Sequence, residues 1–387
     1  MKTVYFDNAS TSHPKAPGVA SAIHSFIEQG SFNPSRGQYT GASATGLAIF
    51  ELRKSLAERF GAPSPRQIIF TQNVTMSVNM LLKGLFQPGQ HLIVSSMEHN
   101  SVMRPLQEVA KQGVNFTAVT ADQDGYIAPE KVEAAILPQT RAIVMTAASN
   151  VCGTVMPLRE IGQIARARGL YLIVDSAQAA GILPLTLDDL KADAICFTGH
   201  KSLLGPQGIG GLAISTEFNE CKPLVTGGTG STSHSEEVPT ALPDRFEAGT
   251  QNLPGLIGLS AADKWLKGKE REILAHELEL TRHFINTIAE IKQVRLIGRD
   301  ATYCNPDRPG RIAAVSLDFP DEDNAEIAAR LFDNYGIMTR CGLHCAPRAH
   351  KTLGTYPQGT VRFSFGWSNT RDEINYAVSA IKDLVQR

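Results

Sequence analysis

One pattern limits the fold of this chain more than any other: from Ile68 to about Gly211, short apolar runs alternate with segments of helical periodicity. This alternation predicts parallel strands joined by crossover helices, and therefore an α/β domain with a mostly parallel central sheet. The predicted strands are Ile68–Phe70, Gln90–Val94, Asn115–Val119, Ala142–Met145, Tyr171–Val174, Ala194–Phe197 and an antiparallel Leu212–Ile214. The predicted helices between them are Ser101–Gln112, Pro129–Ala135 and Leu158–Arg168.

The pattern changes after residue 255. A long helical pattern from Leu256 to about Ile291 leads into a smaller α+β region, and the Gly/Ser/Thr-rich stretch Val225–Pro243 before it is expected to be a connecting loop. We expect an N-terminal segment (1–20) that packs near the small domain, a large domain (21–255) and a small C-terminal domain (256–387). The small domain is predicted to contain strands Val294–Ile297, Ala313–Leu317 and Val361–Ser364, and helices Asn324–Tyr335 and Arg371–Val385.

Composition excludes several classes of partner. The 387 residues are 42% hydrophobic and 19% charged, with a formal net charge of -1, which gives no electrostatic reason to expect nucleic acid or an anionic membrane as a partner. No run of about 18 apolar residues occurs, and Met1–Asp7 lacks the apolar core of a signal peptide, so we expect a cytoplasmic protein. Six scattered cysteines favour reduced thiols over a disulfide framework.

A lysine lies among small residues directly after the apolar run that ends at Phe197. In that setting Lys201 is a candidate amine nucleophile that forms a Schiff base with an aldehyde cofactor. Upstream, the apolar run Leu170–Val174 ends in Asp175, and the carboxyl end of a buried strand faces the crevice where open α/β sheets bind ligands. Pyridoxal phosphate requires a lysine at its aldehyde and a carboxylate at its ring nitrogen, so Lys201 and Asp175 fit its two ends.

The order and spacing of Asp175 and Lys201, with Gln178 and His200 beside them, resemble the class V aminotransferase family of fold type I pyridoxal-phosphate enzymes. Within that family the resemblance is to the cysteine desulfurases, and it runs over nearly the whole chain. It implies a fold type I transferase architecture, with a large cofactor-binding domain and a small C-terminal domain, and pyridoxal 5'-phosphate as the cofactor.

The resemblance also implies the remaining cofactor contacts. His99 matches a catalytic histidine that stacks on the cofactor ring, Asn150 matches an asparagine near the cofactor hydroxyl and the substrate carboxylate, and Gln178 matches the residue that hydrogen-bonds that hydroxyl. Thr198 and His200 match phosphate contacts. Val74 and Thr75 begin a predicted helix whose free N–H groups favour an anion; the family has Gly-Thr-Thr at positions 73–75, so one hydroxyl is missing here.

Two further residues are assigned by the resemblance alone. Arg362 matches the arginine that binds the substrate α-carboxylate, a role for which a planar guanidinium has the right shape. Thr250 matches a threonine that reaches the phosphate of the neighbouring subunit, which implies a homodimer with shared sites.

A thiol distinguishes the reactions open to such a site. Gly342-Leu343-His344-Cys345-Ala346 resembles the catalytic loop of group II cysteine desulfurases and selenocysteine lyases, with Cys345 as the nucleophile. His344, Arg340 or the cofactor could promote its thiolate. Cys341 is a departure from the family and a candidate resolving thiol. A zinc site made of Cys341, His344, Cys345 and His350 is disfavoured because no Cys-x2-Cys pair is present, so no metal is expected.

These features predict a pyridoxal-phosphate-dependent cysteine desulfurase that converts L-cysteine to L-alanine and carries the sulfur as a Cys345 persulfide. An aminotransferase or a carbon–sulfur lyase would keep Lys201, Asp175 and Arg362 without using Cys345, and selenocysteine lyase is a further alternative of the same fold. A catalytically silent binding protein of the same fold is a third alternative. The sequence leaves open the preference among cysteine, selenocysteine and cysteine sulfinate, and whether a protein or a small thiol accepts the sulfur.

Overall fold

A short strand and two helices precede the repeating region. In the computed structural model, which describes residues 3–34 and 37–386, these are β1 (Val4–Tyr5), α1 (Val19–Glu28) and α2 (Thr40–Phe60). The sequence analysis did not predict α2, because the first third of the helix, Thr40–Gly46, is made of small residues without an apolar stripe. Its tertiary contacts, and not its own periodicity, stabilise it as a helix.

The repeating region forms a seven-stranded sheet. Its strand order is β2-β8-β7-β6-β5-β3-β4; neighbouring strands from β7 to β4 are parallel, and β8 is antiparallel to both β2 and β7. The predicted α/β fold class and the antiparallel strand near Leu212 are therefore confirmed. The strands are β2 (Ile68–Thr71), β3 (His91–Ser95), β4 (Asn115–Val119), β5 (Thr140–Thr146), β6 (Tyr171–Asp175), β7 (Ala194–Thr198) and β8 (Gly210–Ile214).

Both faces of this sheet are buried. Ile143 and Leu172 belong to one apolar cluster, whereas Val144 and Ile173 belong to the cluster on the opposite face. Continuous apolar runs are expected for strands that helices cover on both sides. The covering helices include α3 (Val74–Leu85), α4 (Asn100–Ala110), α5 (Pro129–Ala134), α6 (Leu158–Ala167) and the short α7 (Leu187–Leu190).

The predicted long helix over Leu256–Ile291 is wrong. Two helices occupy this region, α8 (Leu253–Leu266) and α9 (Glu270–Ile288), and residues 215–252 before them contain no helix or strand. The break lies at Gly268, whose φ of +84° belongs to the left-handed region and cannot continue an α-helix. Apolar spacing continues through the break because both helices bury an apolar face, so periodicity alone does not reveal it.

The C-terminal part contains a second, antiparallel sheet with the order β12-β13-β10-β9. A separate pair joins β1 to β11 in parallel, so the chain's N-terminus lies against its C-terminal part. The strands are β9 (Arg295–Ile297), β10 (Ala314–Asp318), β11 (Ile337–Met338), β12 (Arg340–Gly342) and β13 (Thr360–Ser364); the helices are α10 (Asn324–Tyr335), α11 (Pro347–Thr352) and α12 (Arg371–Val385).

The topology decides where polar residues gather. Because β5, β6 and β7 are parallel, their carboxyl ends lie at one edge of the sheet, and Thr146 pairs with Asp175 there. The segments that follow β2, β3, β5 and β7 begin at the same edge. Among the described helices, none is both long enough and apolar enough to cross a membrane.

Candidate active site

A cavity of about 400 Å³ opens at this edge of the large sheet. Such edges are where open α/β sheets place their ligand sites. The structure brings together there all but one of the residues that the sequence singled out for the site. Lining residues among these are Val74, Thr75, His99, Asn150, Asp175, Gln178, Thr198, His200, Lys201, Cys345 and Arg362.

Thr250 is the exception. It lines a different cavity, together with Gln72, Phe246, Gln251 and Asn252. The prediction for Thr250 concerned the site of a neighbouring subunit, so a position away from this chain's own cavity is consistent with it. It stays a prediction.

Lys201 follows β7 in a turn whose backbone is closed by a hydrogen bond from the Leu204 N–H to the Lys201 carbonyl, 2.8 Å. Desolvation of the amine lowers the pKa of Lys201 to about 8, and the positive charge of Arg362 acts in the same direction. Asp175 opposes this shift without cancelling it. The result is an amine that releases its proton far more readily than a lysine in water, as a nucleophile or a general base requires.

Asp175 lies at the end of β6 and is buried. Its Oδ1 accepts a hydrogen bond from the Ala177 N–H (2.9 Å) and its Oδ2 accepts one from the Ser101 hydroxyl (3.1 Å). Burial raises the pKa of Asp175, while these hydrogen bonds and Lys201 lower it. The sequence analysis missed Ser101, because a serine at the start of a helix is ordinarily read as a capping residue.

His99 is held at the beginning of α4. Its Nδ1 accepts a hydrogen bond from the Ser101 N–H at 2.9 Å, which fixes the orientation of the ring. Desolvation, aided by the charges of Lys201 and Arg362, lowers the pKa of His99 to about 4. The imidazole is therefore neutral at physiological pH, and a neutral flat ring suits the predicted stacking role.

An anion subsite is formed where α3 begins close to the end of β7. Val74 and Thr75 are the first residues of α3, and the first N–H groups of a helix have no acceptor within the helix. Within the described part of the chain, the Thr198 hydroxyl and the His200 Nδ1 are both buried without a hydrogen-bond partner. Buried polar atoms ordinarily have partners, so these two atoms suit an anionic ligand at this end of the cavity.

Cys345 lies in the loop between β12 and α11, and its side chain is exposed. His344 and Cys345 have φ angles of +47° and +55°, a left-handed conformation that is unfavourable for residues with a Cβ atom. Two contacts hold the loop: Asn100 N–H donates to the Cys345 carbonyl (2.8 Å), and Asn150 Nδ2 donates to the His344 carbonyl (2.7 Å). Asn150 thus connects the thiol loop to the large sheet.

Of the groups expected to promote a Cys345 thiolate, His344 is unsuitable as a cation. It is buried, its Nε2 is 3.0 Å from the Thr360 hydroxyl, and desolvation holds its pKa well below the usual value. Arg340 lines the same cavity as Cys345 and remains as the cationic candidate. Cys341 follows Arg340 in β12, so its side chain points to the other face of the strand and does not line the cavity.

Arg362 reaches the cavity from β13 and is almost fully buried. Its Nη1 donates to the Asn150 carbonyl (2.9 Å), and its Nη2 donates to Asp7 Oδ1 (3.0 Å) and to the Ser10 hydroxyl (2.8 Å). The sequence analysis missed Asp7 and Ser10 completely. In the sequence these two residues are marked only by their position after the apolar run Val4–Phe6. They reach the site through contacts with β13, which join positions more than 350 residues apart, and no local pattern predicts such contacts.

Gln178 also contacts the N-terminal segment, since its Nε2 donates to the Ala9 carbonyl at 3.0 Å.

No group of three His, Cys, Asp or Glu side chains able to hold a metal ion occurs within residues 3–34 and 37–386. The side chains that line the cavity include an amine, a carboxylate, two guanidinium groups and a thiol.

The family model for class-V aminotransferases matches residues 4–376. The chain belongs to the class-V aminotransferase family. Its relatives include a probable cysteine desulfurase of Methanothermobacter thermautotrophicus, 33% identical over 387 aligned positions that cover 98% of this chain and 94% of the relative. The predicted family membership is therefore confirmed.

Solved structures of class-V proteins give the same result. The apo cysteine desulfurase of Thermococcus onnurineus has a TM-score of 0.91 at 30% identity, with 99% of this chain and 95% of that one covered. The cysteine desulfurase CsdA of Escherichia coli has a TM-score of 0.86 at 28% identity and the same coverage. The fold type I architecture that the family resemblance implied is thereby confirmed.

Proposed function

We propose that this class-V protein is a pyridoxal-phosphate-dependent cysteine desulfurase that forms L-alanine and a Cys345 persulfide from L-cysteine. The observation that carries the proposal is that the Cys345 thiol and the Lys201 amine line one cavity. Arg362, which is bonded to Asp7 of the N-terminal segment, lines the same cavity. A transaminase needs only the amine and the arginine. The names of the relatives support the same activity.

The residues present fit pyridoxal phosphate. The unpartnered Thr198 hydroxyl and His200 Nδ1, beside the first N–H groups of α3, suit its phosphate. Lys201 provides an amine of lowered pKa for its aldehyde, and Asp175 provides a buried carboxylate for its ring nitrogen. When bound, the cofactor supplies an electron sink for a negative charge at the substrate Cα.

Two residues of the chain prepare the substrate. Arg362 binds the α-carboxylate and thereby fixes the Cα atom next to the Lys201 amine, so that the reaction becomes effectively intramolecular. Lys201 then takes the proton from Cα and later returns a proton, a task for which a pKa of about 8 is well matched.

Cys345 completes the reaction. Its thiolate attacks the substrate Sγ; the new S–S bond forms as the Cβ–Sγ bond breaks, and the electron pair of the broken bond stays with the carbon. Cβ takes up a proton and becomes the methyl group of alanine, while the sulfur remains on Cys345 as a persulfide. One cysteine and one enzyme thiol thus give one alanine and one persulfide, without an external oxidant or reductant.

We also infer that the protein is a cytoplasmic homodimer in which Thr250 reaches the neighbouring site. We infer that the sulfur acceptor is a protein or a small thiol. The chain is expected to divide into its N-terminal segment and two domains at residues 20 and 255. The exposure of Cys345 supports an external acceptor, because an acceptor must reach the persulfide.

The mass of the peptide containing Cys345 tests the proposed function. After incubation with L-cysteine and no acceptor, we expect this peptide to gain about 32 Da, one sulfur atom. Cys345→Ala should abolish alanine formation, whereas Cys341→Ser, the matched control in the same loop, should retain both the added mass and the activity. An active enzyme without the added mass, or an active Cys345→Ala variant, would show a transaminase or lyase instead.

The pKa of Lys201 gives a second test, on the uptake of the cofactor by the apo protein. Only the neutral amine attacks an aldehyde, and the fraction of neutral amine grows as the pH rises towards about 8. We expect the rate of loading, followed by absorbance at about 420 nm, to rise about tenfold per pH unit below that value and to level off above it. A rate that keeps rising at the same slope to about pH 10 would contradict the lowered pKa.

A further inference from the structure

The edge of Arg362 that would receive a substrate carboxylate is already half occupied. Recognition of a carboxylate by two parallel hydrogen bonds needs two adjacent N–H groups of the guanidinium. Among the residues that the structure describes, the buried Nε of Arg362 has no partner, whereas its neighbour Nη2 donates to Asp7 Oδ1 at 3.0 Å and to the Ser10 hydroxyl at 2.8 Å. Ser10 in turn donates to Asp7 Oδ1 at 2.6 Å, and the remaining nitrogen, Nη1, donates to the Asn150 carbonyl. A substrate carboxylate that binds Nε and Nη2 therefore competes with Asp7, the charged acceptor of Nη2, and displaces it.

Asp7 has a second arginine to which it is bound more completely. Arg340 Nε donates to Asp7 Oδ2 at 3.1 Å and to Oδ1 at 3.3 Å, and Arg340 Nη2 lies 3.1 Å from Oδ2. Asp7 thus contacts Arg340 through two nitrogens and Arg362 through one. The Arg340 side chain is 51% exposed and that of Arg362 is 3% exposed, so Arg340 has room to follow the carboxylate.

The backbone of Asp7 is fixed, so only its side chain needs to rotate. On the residue before it, the Phe6 N–H donates to the Met338 carbonyl (2.9 Å) and the Phe6 carbonyl accepts from the Ser364 N–H (2.7 Å). These bonds hold the segment between β11 and β13. No movement of the chain is needed to free Arg362.

The charges of the cluster suit one additional anion. Asp7 carries one negative charge and the two arginines carry two positive charges, so the cluster has a net charge of +1. A buried charge without a counter-ion is costly, and Asp7 supplies that counter-ion for Arg362 while no ligand is bound. An incoming carboxylate takes over this task and brings the cluster to neutrality.

We propose that Asp7 is an internal carboxylate that occupies Arg362 until the α-carboxylate of an amino-acid substrate displaces it onto Arg340. The inference rests on the proposed function only in taking Arg362 as the carboxylate site. Asp7 is then a specificity-determining residue. An amine without a carboxylate leaves the Asp7–Arg362 pair intact and obtains no binding energy from Arg362.

The test compares two ligands that differ only in the carboxylate, L-alanine and ethylamine. Each is titrated into the cofactor-loaded protein and followed by the absorbance change at about 420 nm. In Asp7→Asn the internal competitor loses its charge, so we expect the dissociation constant of L-alanine to fall at least about tenfold and that of ethylamine to stay within about twofold. Asp188→Asn, which removes the same charge at an exposed position paired with Lys191, should change neither.

Weaker or unchanged binding of L-alanine by Asp7→Asn, or an equal change for both ligands, would overturn the proposal. If the variant does not load the cofactor, a crystal structure of the parent enzyme with L-alanine decides instead. We expect Asp7 beyond about 3.5 Å from Arg362 Nη2 and still on Arg340; Asp7 still bonded to Arg362 would overturn the proposal. Neither measurement involves sulfur, so a parent that forms no alanine from cysteine would refute the desulfurase function alone.

Discussion

Replacing Lys201 with alanine is expected to reduce alanine formation from L-cysteine by at least about 1000-fold, because the variant loses the amine that moves the Cα proton. The amine is also the point of covalent attachment of the cofactor. Reduction of the loaded parent with borohydride should therefore fix the cofactor on the peptide that contains Lys201, and the variant should carry no such adduct. Peptide mass spectrometry measures the adduct, and an alanine assay measures turnover.

Lys15 provides a matched control for this experiment. Desolvation lowers the pKa of Lys15 to about 8 as well, and its Nζ donates to the carbonyl of His200, the residue before Lys201, at 2.9 Å. Lys15 is therefore a second amine of lowered pKa, but it does not line the cavity. Lys15→Ala should still attach the cofactor at Lys201. An adduct that moves to Lys15, or a Lys201→Ala variant that keeps full turnover, would show that Lys201 has been assigned the wrong role.

Replacing Asp175 with asparagine is expected to lower kcat by about 100-fold to 1000-fold. Asparagine has nearly the same shape and can still accept the hydrogen bond from the Ala177 N–H, but it carries no charge to keep the cofactor nitrogen protonated. The loss should therefore appear in kcat and in the cofactor's absorbance spectrum, with a smaller effect on the affinity for the amino acid. Steady-state kinetics and a titration with L-alanine separate the two effects.

Asp193 lies at the opposite end of the same strands and serves as the control. Its Oδ2 accepts a hydrogen bond from the Leu172 N–H at 2.9 Å, and burial raises its pKa as it does for Asp175. Asp193→Asn is expected to change thermal stability and to leave kcat within about twofold of the parent. Equal losses of kcat in both variants would mean that Asp175 acts through the fold and not through its charge.

The large sheet could be predicted because its strands are buried on both faces. Apolar runs such as the one that ends at Asp175 occur only where helices cover both sides, so the strands and their parallel arrangement follow from local pattern. The same reasoning failed at Gly268, where an apolar face continues across a break in the helix. It also failed at α2, whose small residues carry no period of their own.

The residues of the site fall into two groups, those that a local motif indicates and those that only tertiary contacts reveal. Lys201, Asp175, His99 and Cys345 could be found because each lies in a short motif, at the end of a strand or in a loop with a characteristic order of residues. Asp7, Ser10 and Ser101 could not, because their roles come from contacts and not from motifs. The sequence also did not show how these groups ionise: desolvation lowers the pKa values of His99 and His344, which leaves Arg340 as the cationic candidate near Cys345.

By itself, the sequence determined the succession along the chain of the strands of the large sheet and of helices between them, the family, and the candidates for the amine, the carboxylate and the thiol. These follow from local pattern, since hydrophobic period and motif spacing are properties of neighbouring residues. Only the tertiary structure decided what surrounds each group. The hydrogen bond between Phe6 and Ser364 places Asp7 beside Arg362 and Arg340. These contacts join the two ends of the chain, and a pattern of neighbouring residues contains no information about them.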